Sequence, residues 1–185
     1  ETGDLLYAFD DGDFHLVPEA EFEVEVPDFK LWAPSAPFLH TITVKSETDC
    51  IIEQFGIRCI RAGDNQIWLN GESIKLRGFC RHEAHPQFGS ALPLNIIMED
   101  IRWLKDLNCN FIRGVHYPQD QRFLSLCDQF GLLVWEEALG WGDHQDHLTD
   151  PAFQDAQLRQ LKLMVKNSFN HPCVIIWGFL NEGDS

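Results

Sequence analysis

The chain has 185 residues, of which 44% are hydrophobic and 23% are charged. This composition is sufficient for a buried core and excludes a disordered chain, and the length fits one domain or a domain and a half. Twenty-nine acidic against fourteen basic residues give a formal net charge of -15 at pH 7. Because this charge repels nucleic acid phosphates and anionic membrane surfaces, and no apolar stretch has the length of a membrane span, we expect neither partner.

The cysteines give no sign of a disulfide framework. The six lie at widely separated positions: Cys50, Cys59, Cys80, Cys109, Cys127 and Cys173. Most fall in apolar strand or helix patterns, as small buried hydrophobic residues do, and only a pairing of Cys50 with Cys59 across two strands stays open. The compartment is undetermined, with a slight preference for the cell interior. No zinc-ligand spacing and no glycine-rich phosphate loop occurs, so we expect no cofactor.

The first 60 residues have the pattern of an antiparallel β-sandwich. Strands are predicted near residues 5–9, 14–17, 21–26, 38–45 and 50–59. Hydrophobic residues alternate with glutamates in the third of these, which is the period of a strand with one solvated face. A proline-rich turn at residues 31–37 precedes the fourth. An independent sandwich needs about seven strands, so either the partner strands lie upstream or the domain is incomplete.

From residue 61 onward the pattern alternates between strands and helices. Asn70-Gly71 predicts a two-residue hairpin turn. Strands are then predicted at residues 74–79, 111–115, 132–135 and 174–180, with helices at 97–107, 123–130 and 150–169. Gly131 is placed to end the second helix, and Asp150-Pro151 to open the third. This order predicts a parallel sheet with right-handed crossovers, either a small doubly wound sheet or half of a (β/α)8 barrel.

All four predicted parallel strands end in polar residues. The strand ends are Arg81-His82-Glu83, Arg113 to Tyr117, Glu136-Glu137 and Asn181-Glu182. A lone histidine at such a place is more often structural than catalytic, but four polar ends in succession favour a functional rim. Barrel active sites lie at the carboxyl ends of the strands. These ends, and the missing fingerprint glycines of a dinucleotide fold, favour the barrel.

Two long motifs resemble glycoside hydrolase family 2, which contains β-galactosidases, β-glucuronidases and β-mannosidases. Residues 170–182, from Asn-His-Pro to Asn-Glu, are similar to its acid/base signature. Residues 110–131 are similar to its second signature, although Gly114-Val115 depart from the usual small polar pair. Residues 31–34 and 55–58 resemble the end of the immunoglobulin-like domain that precedes the barrel in this family.

The resemblance implies a fold and a set of roles. The fold would be α/β: the first four strands of a (β/α)8 TIM barrel in residues 61–185, preceded by part of an antiparallel immunoglobulin-like β-sandwich in residues 1–60. Glu182 matches the acid/base of a retaining two-carboxylate mechanism, and Arg113 matches the residue that orients the nucleophile. The expected substrate contacts are Asn181, His82, His116, Glu137 and Trp141.

Some of these assignments keep an alternative. Glu136 and Glu137 match acids that are either structural or sugar-binding, and Trp141 suits either stacking on a sugar or a place in the core. Trp141 and Asp143 stand where metal-dependent galactosidases have a Glu and a His, so no metal is expected. The expected substrate is a terminal β-linked sugar, a β-galactoside or a β-glucuronide.

The family's nucleophile is a Glu on the seventh barrel strand, which this sequence does not contain. We therefore expect the chain alone to be inactive. Its open sheet edge would be covered by the remaining barrel half, by another chain of the same protein or by self-association. The alternative is a non-catalytic carbohydrate-binding or interaction fragment of the same fold.

Overall fold

The computed structural model describes residues 4–26 and 28–183, which form three sheets and four helices. The strands are β1 (Leu6–Phe9), β2 (His15–Leu16), β3 (His40–Lys45), β4 (Cys50–Phe55), β5 (Ile60–Gly63), β6 (Gln66–Leu69), β7 (Glu72–Ile74), β8 (Gly78–Arg81), β9 (Phe111–Gly114), β10 (Leu133–Glu137) and β11 (Val174–Gly178). The helices are α1 (Leu94–Asp106), α2 (Gln121–Phe130), α3 (Gln145–Leu148) and α4 (Pro151–Ser168). In the described ranges, no helix is long and apolar enough to cross a membrane.

The first sheet is antiparallel, in the order β2-β1-β3-β4. The predicted strands near residues 5–9, 14–17 and 38–45 are confirmed, but the strand predicted over residues 21–26 is wrong, because this segment has no regular structure. Its alternating pattern finds no neighbouring strand to pair with, and Val24 stays 41% exposed. The last strand of this sheet also ends earlier than predicted, at Phe55.

The second sheet, β5-β6-β7, contains the predicted hairpin. Leu69 pairs with Glu72 across Asn70 and Gly71, whose φ angles of 53° and 84° are those of the expected turn. The strand predicted over residues 74–79 is wrong in one respect, since β7 ends at Ile74 and a separate strand β8 begins at Gly78. The break exists because the chain passes there from an antiparallel hairpin into the parallel sheet.

The third sheet is parallel, with β8, β9, β10 and β11 adjacent in chain order. The predicted strands and the three longer helices between them are confirmed; the short helix α3 was not predicted. Sequential order is the arrangement of barrel strands, whereas a doubly wound sheet reverses its order. The predicted caps also form: the Asp150 side chain accepts from the Ala152 N–H, and Gly131 has a left-handed φ of 69°.

A residue from the first 60 is part of the core of the parallel sheet. Trp32 is fully buried in the same apolar cluster as Ile112 and Phe123, and its Nε1 donates to the Asp128 carbonyl at 2.8 Å. Arg58 donates to the Val174 carbonyl at the start of β11. The turn that carries Trp32 therefore closes the end of the sheet opposite the rim. The domain boundary between residues 60 and 61 stays a prediction.

The cysteines are all free. The pairing of Cys50 with Cys59 that the sequence left open does not form. Cys109, Cys127 and Cys173 are buried, as expected of small hydrophobic residues, whereas Cys50, Cys59 and Cys80 are exposed.

Candidate functional site

The carboxyl ends of three parallel strands bring four predicted site residues into one hydrogen-bonded group, called here the rim cluster: Arg113, His116, Glu137 and Asn181. Arg113 donates to Glu137 Oε2 from Nε at 3.1 Å and from Nη2 at 2.8 Å. Its Nη2 also donates to Asn181 Oδ1 at 2.7 Å. His116 Nδ1 lies 2.6 Å from Glu137 Oε1. The prediction that these residues lie close together at one rim is confirmed.

Burial explains why the rim cluster is tightly connected. The Glu137 side chain is 0% exposed, and a carboxylate removed from water is tolerated only when charged or hydrogen-bonding groups compensate it. Arg113 and His116 occupy both of its oxygens, and the Arg113 guanidinium also lies 4.7 Å from the centre of the Trp135 ring. These contacts hold His116 and Asn181 in fixed positions relative to the strand ends.

An open face of aromatic rings borders the rim cluster. The His82 and His116 ring centres are 5.6 Å apart, and the His116 and Trp141 ring centres are 6.1 Å apart. Trp141 is 54% exposed, so in this chain it is not a core residue. Sequence reasoning did not assign a role to Tyr117, whose hydroxyl accepts from the Glu83 N–H at 2.9 Å and lies 3.3 Å from His82 Nδ1.

Glu182 lies at the edge of this face and is exposed. It directly follows Asn181, whose carbonyl accepts from the Gly142 N–H at 3.1 Å and whose backbone bridges to Trp141. Its φ of 52° is in the left-handed region, which is sparsely populated by residues other than glycine. The structure thus brings the predicted acid next to the rim cluster.

Glu136 and Glu137 have different environments, which the sequence did not distinguish. Successive strand residues point to opposite faces, so Glu137 faces Arg113, whereas Glu136 faces the helices and its Oε1 accepts from the Gln119 N–H at 3.1 Å. Burial and the neighbouring Glu83 raise the pKa of Glu136 to about 8, although the hydrogen bond from Gln119 opposes this. Glu136 is therefore a buried, uncharged acid at neutral pH and does not line the site.

One group among the described residues has the ligand types and spacing for a metal: Asp128, His171 and Cys173, whose ligand atoms lie within 4.8 Å of one another. The group is explained without an ion. Asp128 Oδ2 is hydrogen-bonded to His171 Nδ1, and Oδ1 accepts from the Cys173 N–H at 2.9 Å. Burial raises the pKa of the Cys173 thiol, which disfavours the thiolate that would bind a metal. The group connects α2 to the start of β11.

Comparison with known proteins identifies the family. The family model for "Glycosyl hydrolases family 2, TIM barrel domain" matches residues 60–185. Among curated proteins, a β-galactosidase of Thermoanaerobacter pseudethanolicus is 38% identical over 160 residues, which cover 82% of this chain and 21% of the relative. A β-galactosidase of Thermoanaerobacterium thermosulfurigenes is 35% identical over 168 residues, covering 87% of this chain and 23% of the relative.

Solved structures agree with this result. A family 2 β-galacturonidase from Eisenbergiella tayi, bound to galacturonate, matches with a TM-score of 0.90 and 38% identity, covering 100% of this chain and 35% of its own. The β-glucuronidase of Parabacteroides merdae matches with a TM-score of 0.82 and 29% identity, covering 97% of this chain and 24% of its own. The chain spans about a fifth of the length of the curated relatives cited above. The chain belongs to glycosyl hydrolase family 2 and contains part of its TIM barrel domain.

Proposed function

We propose that this chain supplies the acid/base half of the active site of a retaining β-glycosidase. The observation that carries the proposal is the rim cluster: a buried ion pair that fixes an amide and a histidine beside Glu182, at the strand ends of a family 2 barrel. General acid catalysis requires first that the acid lie within hydrogen-bond reach of the atom that it protonates. The fixed polar groups beside the exposed carboxyl group of Glu182 fit this requirement.

In this mechanism Glu182 first protonates the oxygen of the departing group and later removes a proton from the attacking water. A second carboxylate, outside this chain, attacks the sugar carbon at a separation of about 5 to 5.5 Å from the first. Arg113 positions that nucleophile from its place in the rim cluster. Asn181 is held through its Oδ1, which leaves its NH₂ to donate to a substrate hydroxyl.

The proposed substrate is a terminal β-linked sugar. The curated relatives are named for galactosides, and the structural neighbours for galacturonides and glucuronides, so these three sugars are the candidates. His82, His116 and Trp141 would form one wall of the sugar site, because an exposed indole stacks on the apolar face of a sugar ring while the imidazoles hydrogen-bond its hydroxyls.

We further propose that the first sheet is the end of an immunoglobulin-like domain and that the parallel sheet is half of a closed barrel. Strands β8 and β11 are open edges, and apolar side chains beside them are exposed, including Phe79, Trp103 and Phe179. Open edges with apolar borders need a covering partner. The remaining barrel half of the same protein is the proposed partner, and self-association of two copies is the alternative.

The test is an assay of the complete protein that contains this chain, beside the 185-residue chain alone, with p-nitrophenyl β-galactoside, β-galacturonide and β-glucuronide. We expect the complete protein to cleave at least one of them, with proton NMR showing the β-anomer as the first sugar product, and the chain alone to cleave none. If the folded complete protein cleaves none of the three glycosides but binds a sugar measurably, the proposed enzymatic function is wrong and the protein is a carbohydrate-binding protein.

A further inference from the structure

A second polar group lies behind the rim, between the parallel sheet and the helices. It consists of four buried residues and is called here the support network: Arg81, Glu83, Gln119 and Glu136. The network touches both neighbouring helices through Arg81, whose Nε donates to Asp100 of α1 at 3.0 Å and whose guanidinium lies 4.1 Å from the Phe123 ring of α2. Sugar chemistry at the rim does not use it.

The support network holds the loop of residues 115–120 that follows β9. Glu136 Oε1 accepts from the Gln119 N–H at 3.1 Å, and Glu83 Oε1 accepts from the Asp120 N–H at 3.0 Å. Arg81 Nη1 donates to Gln119 Oε1 at 3.0 Å. Gln119 Nε2 in turn donates to the Tyr117 carbonyl at 3.1 Å.

The same loop carries two rim groups. His116 lies against Glu137, and the Tyr117 hydroxyl lies between His82 and the Glu83 N–H. A shift of the loop would therefore displace His116 and Tyr117 together. Placement errors of about 1 Å in such groups have large effects on catalysis.

Glu136 is the member of the support network whose side chain has the fewest hydrogen-bond partners. Its Oε1 has the Gln119 N–H, but its Oε2 is buried and has no hydrogen-bond partner within the described ranges. An ionised carboxylate there would be incompletely solvated, and Glu83 adds a repelling negative charge. The other titratable groups beside the network among the described residues are Asp100 of α1, Asp120, Arg122 and Cys127 of α2, and Cys173, which precedes β11.

We propose that Glu136 is a positioning residue that, through its hydrogen bond to the Gln119 N–H, fixes loop 115–120 and so places His116 and Tyr117 for sugar binding. In the uncharged acid, Oε1 accepts from the Gln119 N–H and holds the loop, and burial raises the pKa of Glu136 to about 8. Above about pH 8 the carboxylate forms. Although its hydrogen bond from the Gln119 N–H is retained, its buried and unpaired Oε2 then needs solvation, and the loop opens to let water reach it. The effect on sugar binding rests on the proposed function, whereas the effect on the loop does not.

The test follows amide hydrogen exchange of the loop and of β9 in the complete protein between pH 6 and 9, corrected for the intrinsic pH dependence of exchange. The variants are Glu136→Gln, which keeps an acceptor and stays neutral, and Glu136→Ala, which removes the acceptor. Glu99→Gln, an exposed change on α1, is the control. In the wild type and the control, we expect loop protection to fall about tenfold between pH 7 and 9 while β9 protection stays constant.

The two variants should differ from each other in the hydrogen-exchange protection of the loop. In Glu136→Gln the loop stays protected across this range, and in Glu136→Ala it is about tenfold less protected at every pH. KM for a cleaved glycoside should rise with pH in the wild type and stay flat in Glu136→Gln. Loop protection that is unchanged in Glu136→Ala, or a fall in protection with pH that is equal in the wild type and in Glu136→Gln, overturns the proposal. A loop that behaves as expected in a protein that cleaves no glycoside rejects the proposed function and leaves the positioning role intact.

Discussion

Replacing Glu137 with Gln removes the charge at the centre of the rim cluster while keeping the shape of the side chain. The carboxylate is 0% exposed and accepts two hydrogen bonds from Arg113 and one from His116. Removing one partner of a buried ion pair costs about 3 to 5 kcal/mol. Because Arg113 is 25% exposed and water can hydrate it in part, we expect a cost below this range, about 2 to 3 kcal/mol.

Urea denaturation of the chain at pH 7, followed by tryptophan fluorescence, measures this cost. With a slope of about 1 to 3 kcal/mol per molar, the unfolding midpoint should fall by roughly 0.7 to 3 M. The control Glu53→Gln, on the exposed face of β4, should change stability by less than about 0.5 kcal/mol. A double-mutant cycle with Arg113→Met should give a coupling of about 1 kcal/mol or more. A loss below about 1 kcal/mol with no coupling would contradict the ion pair as described.

Three further predictions concern packing, backbone conformation and pH. Trp32→Ala removes a fully buried side chain and its hydrogen bond, and should lower the free energy of unfolding by about 3 to 5 kcal/mol in urea; a loss below about 1 kcal/mol would mean that Trp32 does not join the core. Gly131→Ala should lower the free energy of unfolding clearly more than Gly142→Ala does. Both glycines have φ near 65°, but only at Gly131 does an added Cβ lie 2.3 Å from the Pro34 carbonyl oxygen. Equal losses of stability in the two variants would contradict this contact. The pKa of Glu136 is raised from 4.5 to about 8, so the folded state binds more protons than the unfolded state, and the stability from this group is complete below pH 4.5 and lost as pH rises to about 8. At 1.36 kcal/mol per pH unit the loss is at most about 5 kcal/mol, and it should be absent from urea titrations of Glu136→Gln.

The sequence predicted the parallel half of the chain well because its signals are local. The caps at Asp150 and Gly131, and the helical spacing of apolar residues between strands, depend on neighbours a few positions away. The hairpin at Asn70-Gly71 is equally local, since the two residues themselves adopt the positive φ angles that the turn requires.

Predictions that depend on distant partners failed or were incomplete. The alternating segment at residues 21–26 has the period of a strand, but a strand also needs an edge to pair with, and the described chain offers none there. Trp32 was assigned to a turn and to the end of the immunoglobulin-like domain, although its indole donates to the Asp128 carbonyl, 96 positions later in the chain. Such contacts leave no periodic signal in the sequence.

The candidate site was predicted as a set of residues but not as a set of contacts. The resemblance gave separate roles to Arg113, Glu137 and Asn181, and the structure joins them in one hydrogen-bonded group. It also gave Glu136 and Glu137 the same two open roles, structural or sugar-binding, although only Glu137 was named among the expected substrate contacts. Strand alternation could have placed these two on opposite faces, but their partners, Gln119 and Arg113, come from another part of the fold.

The role of Glu182 is the central claim, and the rate of the complete protein on aryl β-glycosides of graded leaving-group acidity tests it most directly. A general acid contributes about 10² to 10⁴-fold, and only where the departing oxygen needs a proton. We predict that Glu182→Gln lowers the rate of the step that releases the phenol by about this factor on a glycoside with a poorly acidic leaving group. On a dinitrophenyl glycoside the same rate should fall much less. The control Glu53→Gln should match the wild type on both. Equal losses of Glu182→Gln on both substrates, or no loss on either, would contradict Glu182 as the proton donor.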